Sequence, residues 1–131
     1  MQNQEIRQET VAKGKPFDLG ERLLEFAVGN VKLTARLART VAGRYIAGQL
    51  MRASASCGAN YQEARGAESR ADFVHKPQLV LKELREAGYW LQLAGEAQVL
   101  PGKELESMRK EADELTRIVV KSVLTAKSKC R

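Results

Sequence analysis

Eight consecutive residues, Ala53 to Asn60, contain no side chain larger than asparagine. They lie within Arg44–Arg70, a proline-free stretch that carries Ile46, Leu50, Ala53, Cys57, Asn60 and Ala64 at alternating four- and three-residue spacing. That rhythm keeps one stripe on one face of a helix. A helix this slender lets its neighbours approach closely. It therefore belongs at the centre of a packed helical bundle.

The other segments repeat the rhythm. A first helix shows Leu19, Leu23, Phe26, Asn30, Leu33 and Leu37, flanked by Leu24, Ala27, Val31, Ala35 and Ala38. Asp18 is its expected cap, with Glu21 as capping-box partner. A turn is expected over Thr40–Gly43, and Gly66 should end the second helix. A third helix, capped by Ser69, shows Phe73, Pro77, Val80, Leu84, Ala87, Leu91 and Ala94. Phe73 and Val74 stay in phase across Pro77, so the helix should continue through it with a kink. A loop is expected from Gly95 to Gly102. A fourth helix shows Leu105, Met108, Ala112, Leu115, Val119, Ser122 and Ala126, with acids early and Arg117 and Lys121 late, as the helix dipole favours. The expected fold is all-α: an antiparallel up-down-up-down four-helix bundle over residues 17–126. A flexible arm over 1–16 and a basic tail over 127–131 flank it.

The chain has 131 residues, suited to one domain. No apolar run is long enough to span a membrane, and the first residues lack the apolar core of a secretory signal. Cys57 and Cys130 are too few and too far apart to suggest a disulfide scaffold. Reduced thiols in a cytoplasmic protein are the expectation.

The net charge of +6 is unevenly placed. Residues 32–70 carry Lys32, Arg36, Arg39, Arg44, Arg52, Arg65 and Arg70 against only Glu63 and Glu68. Such a surplus suggests an acidic partner, RNA or DNA foremost, while the competing reading is a solvated face that serves solubility. No base-stacking platform and no recognition-helix motif is present, so binding should be to backbone and shape.

Catalytic chemistry finds little support. The chain has a single histidine, His75, and no Glu-x-x-His pair of the di-metal bundle type. Cys57 reads as a small core thiol. Asn30 and Asn60, on the seams, should bond to each other or to backbone. Gln49, Arg52, Asn60 and Glu63 should form a polar cluster on the second helix. No metal, cofactor or catalytic residue is predicted, and the chain is expected not to be an enzyme. Tyr45, Tyr61, Tyr89 and Trp90 flank the seams and are the expected oligomer interface.

Gln49, Arg52, Ala53, Asn60, Glu63, Ala64, Ser69, Asp72, Phe73 and Glu86, closed by Tyr89-Trp90-Leu91, form a pattern. It resembles a family of small bacterial four-helix-bundle proteins. The family includes proteins encoded in intervening sequences of large-subunit ribosomal RNA genes and the accessory variability protein of diversity-generating retroelements. The resemblance spans about residues 17–100. Cys57-Gly58 and Gly66-Ala67 depart from the family's usual residues. The resemblance implies a homopentameric ring of bundles. In the retroelement member it implies a basic surface that binds nucleic acid and a reverse transcriptase. It implies no catalytic residue. Two functions stay open: a nucleic-acid-binding bundle, and a scaffold or adaptor whose interface is its function.

Overall fold

The computed structural model describes residues 17–66 and 70–129. The expected arm over 1–16, the Ser69 cap, Cys130 and the side chains of Arg70, Phe73 and Ala126 lie outside the described residues. Four helices follow in order: α1 (Leu19–Leu37), α2 (Val41–Arg65), α3 (Arg70–Glu96) and α4 (Gly102–Lys129). Among the described residues there is no strand. α1 packs on α2, α2 on α3 and α3 on α4, while α1 and α4 meet along a looser seam. The result is the expected up-down-up-down bundle.

Local chemistry sets the helix ends. The Asp18 carboxylate accepts the Glu21 N–H at 3.1 Å and caps α1. Thr40 is the cap of α2, its hydroxyl accepting the Gly43 N–H at 3.0 Å. The expected Thr40–Gly43 turn is therefore shorter, and Gly43 lies inside the helix. A Cβ there would fall 1.8 Å from the Leu37 carbonyl oxygen, so only glycine fits. At the end of α3, Val99 N–H donates to Ala94 O and Gln98 N–H to Gly95 O, with Gln98 at φ 57°. This is the Schellman closure, with glutamine where glycine is usual. α3 is continuous through Pro77. α4 continues to Lys129, past the expected end at 126.

The core follows the seams. Leu23, Phe26, Leu37, Leu50, Ala53, Cys57, Leu84, Leu91 and Leu115 are among its fully enclosed side chains. Two seam positions shift. Asn60 is half-buried, bonding the Ser56 carbonyl at 2.9 Å, and Tyr61 packs on the core beside it. Ser122 is exposed, and Val123 is buried in its place. Both shifts follow from rounding a 3.6-residue period to whole steps. In each pair the larger apolar side chain turns inward.

Candidate functional site

Helix α1 carries Lys32 and Arg36 on its last turns, Arg39 follows in the α1–α2 connection, and α2 begins three residues before Arg44. The short α1–α2 connection places them at one end of the bundle. Lys32, Arg39 and Arg44 are exposed and form no ion pair among the described residues. Arg36 differs: it forms an ion pair with Glu104 at the start of α4. Lys32 and Arg36 line a shallow groove with Gly29, Leu33, Glu104 and Met108, where the Met108 side chain lies over Gly29.

The other expected contacts lie elsewhere. Arg52 pairs with Glu83 at 3.2 Å and with Glu86, both on α3. The polar cluster expected on α2 alone is thus a link between two helices, because the acids of α3 come closer to Arg52 than Glu63 does. Glu63 pairs instead with Lys76 at 2.7 Å. Arg65 stands near the far end of α2, its guanidinium 6.0 Å from the Tyr61 ring centroid. It is roughly 32 Å from Arg44 along the helix. Arg70 opens α3 at that same far end. The seven expected cations therefore divide into a corner at one end, a tied arginine in the middle and a pair at the other end.

The aromatics also divide. Tyr45 and Tyr89 both meet Trp90 edge-on, at centroid distances of 5.7 and 5.2 Å. Tyr45 and Tyr89 are 64% and 58% exposed, so the three rings form an outward patch on the α2–α3 seam. Tyr61 is not part of it. It sits near the opposite end of α2, beside Leu19, Arg65 and Pro77.

Electrostatic shifts follow the ion pairs. Glu86 is held below the usual carboxylate range by its bond from Arg52. Glu83 is pushed up by burial and by the neighbouring Glu86, against the pull of Arg52. The Cys57 thiol is pushed up to about 12, chiefly by burial, and donates to the Ala53 carbonyl at 3.2 Å. Such a thiol stays protonated and inert. Among the described residues no group of three His, Cys, Asp or Glu side chains could hold a metal ion. None of the described helices is long and apolar enough to cross a membrane.

Residues 18–121 match the 23S rRNA-intervening sequence protein family, across all four helices. The chain belongs to that family. A similar solved structure is a protein of unknown function from the S23 ribosomal protein family of Bacteroides thetaiotaomicron, determined at 1.70 Å. It is 32% identical, with a TM-score of 0.76, covering 81% of this chain and 98% of that one. Comparison with curated proteins gives no match. The intervening-sequence family pattern now has a physical reading. Arg52 and Glu86 are ion-pair partners, Glu63 reaches Lys76, and Asn60 bonds the turn before it. These residues mostly tie α2 to α3, so the pattern describes a fold more than a site.

What the sequence missed is the cross-helix pairing of charge. Arg22 is bound by Glu111 at 2.6 Å and by Glu114 at 3.0 Å, and its pKa is raised above the ordinary value by the Glu111 bond. Nothing in the linear charge count reveals that α4 neutralises arginines of α1.

Proposed function

We propose that this protein is a non-enzymatic, self-associating helical bundle that holds nucleic acid by its phosphate backbone. The contact surface in this reading is the basic corner of Lys32, Arg39 and Arg44, with Arg36 beside it. The observation that carries the reading is that these three cations are exposed and form no ion pair among the described residues, whereas Arg52 is tied to α3. Unpaired cations displace counterions from phosphates, and tied ones contribute less. The ribosomal RNA in the family's name is in keeping with such a partner. A homopentameric ring, as the resemblance implies, is the assembly that would repeat the corner around one axis. A reverse transcriptase is the protein partner that the same resemblance would carry.

The test is binding of nucleic-acid-free protein to a labelled duplex across a salt series. Changing Lys32, Arg39 and Arg44 together to Glu should abolish binding, and Arg52→Glu should weaken it far less. Undiminished binding by the triple variant, or affinity independent of salt, overturns the reading. The exposed Tyr45–Trp90–Tyr89 patch favours a second reading, a scaffold without nucleic acid. It gains if wild type assembles but binds no polyanion.

A further inference from the structure

The fourth helix carries seven bases and five acids, and these charges sort by face. Lys103, Lys110, Arg117 and Lys121 follow each other at steps of seven, seven and four residues. At 3.6 residues per turn they fall within an arc of about 40°, along about 27 Å of helix. All four are exposed, and none forms an ion pair among the described residues. The acids beside them are engaged. Glu104 pairs with Arg36, Glu111 and Glu114 with Arg22, and Glu106 with Arg109 on the same helix. Asp113 turns to the α3 side, where it lines a groove with Arg85 and Arg109. Intramolecular pairing thus lowers the negative charge beside the ridge without cancelling it, since Arg22 answers two acids and Lys110 lines a groove with Glu25, Glu111 and Glu114.

We infer that this ridge of α4 is a second contact surface for a nucleic-acid duplex, continuous with the basic corner. The Arg36–Glu104 pair joins the last turn of α1 to the first turn of α4, so Lys103 stands next to the corner and the ridge runs on from it. A straight, rigid row of unpaired cations matches a linear polyanion with regular charge. The ridge consists of lysine and arginine alone and offers no aromatic side chain for stacking. Contact is therefore with phosphates, and duplex RNA and duplex DNA should bind alike.

The inference rests on the nucleic-acid reading above, and one experiment separates their failures. The probes are a labelled RNA duplex, the DNA duplex of the same sequence, and polyglutamate. The proteins are wild type, the corner variant (Lys32, Arg39 and Arg44 to Glu) and a ridge variant (Lys110, Arg117 and Lys121 to Glu). A milder ridge variant carries Gln at the same three positions. Helix content and oligomeric mass are checked for each.

The ridge Glu variant should lower the slope of log affinity against log salt by about three, and the Gln variant should lower it less than the Glu variant does. Both duplexes should show the change. If the ridge variants bind as wild type does while the corner variant fails, the ridge inference is overturned and the first reading stands. If wild type binds neither duplex, both are overturned. Capture of polyglutamate without either duplex overturns the ridge as a nucleic-acid surface and points to an acidic protein.

Discussion

The Asn30 side chain donates its amide N–H to the Ser54 hydroxyl at 2.9 Å, and both side chains are fully buried. The bond crosses from α1 to α2 inside a core that is apolar but for these two side chains and Thr34 among the described residues. Ser54 lies in the small-residue run, which brings the two helices close enough for so short a link. Asn30 Oδ1 is buried and has no hydrogen-bond partner among the described residues. An amide left half-satisfied is costly, and one left wholly unsatisfied costs more.

Ser54→Ala should therefore destabilise the fold by about 1–3 kcal/mol, because it strands the Asn30 amide. Adding Asn30→Leu should recover most of that loss, since a polar group with no partner is replaced by an apolar one. Urea denaturation of both single variants and the double variant measures the coupling. Additive effects would mean that the two side chains do not act as a pair.

The α3–α4 connection makes a prediction of opposite sign. Gln98 holds a left-handed conformation that costs an L-residue about 1–2 kcal/mol. Gln98→Gly should stabilise the fold by about 1 kcal/mol. Gly43→Ala should lose about 2 kcal/mol or more, because its Cβ would meet the Leu37 carbonyl. Gly48→Ala is the control: a Cβ there meets nothing, so gaining helix propensity should be its main intramolecular effect. Midpoints of thermal or urea unfolding separate the three.

Cys57 predicts a pH dependence. Its folded-state value of about 12 lies above the ordinary 9.0, so the folded protein keeps a proton that the unfolded chain releases. The stability contributed by the buried thiol is whole below pH 9.0 and declines as pH rises toward about 12. The difference in unfolding free energy between wild type and Cys57→Ala should shrink over that window. Below it the difference should stay constant. Native Cys57 should also react with iodoacetamide far more slowly than in urea. Reaction at the rate of a free thiol in native protein would contradict the burial argument.

The seams were legible because burial and periodicity are local properties of a chain. Leu23, Phe26, Leu50, Leu84 and Leu115 could be placed inside from spacing alone, as could the small residues that thin α2. Errors arose where two neighbouring positions competed for one inward direction. Asn60 lost to Tyr61 and Ser122 to Val123, each by a fraction of a turn. The charge map was less legible for a different reason. Whether Arg36 is free depends on Glu104, which lies 68 residues away, and on the register between α1 and α4. Spacing within one helix carries no information on that register. The seven-cation set read from residues 32–70 thus mixes exposed cations with tied ones. It also passes over the α4 ridge, whose neighbouring acids are drawn toward Arg22 and Arg36 of α1 only by packing.

The aromatic patch supplies the last prediction. Tyr45, Tyr89 and Trp90 stack edge-to-face on the α2–α3 seam, and the Trp90 indole N–H is buried with no hydrogen-bond partner among the described residues. Large exposed rings are enriched where protein surfaces meet, and they dominate binding energy when desolvated. If the patch is the self-association surface, Tyr89→Glu should place a charge in the contact and lower the mass seen by light scattering to that of one chain. Helix content should not change, because Tyr89 is more than half exposed. Trp90→Phe should behave differently. It removes an N–H that has no partner while keeping a ring against both tyrosines, so assembly should persist and monomer stability should not fall by more than about 1 kcal/mol. Should Tyr89→Glu assemble like wild type, the contact between chains lies elsewhere, and the exposed Leu24, Val28 and Val31 of α1 become the surface to alter next.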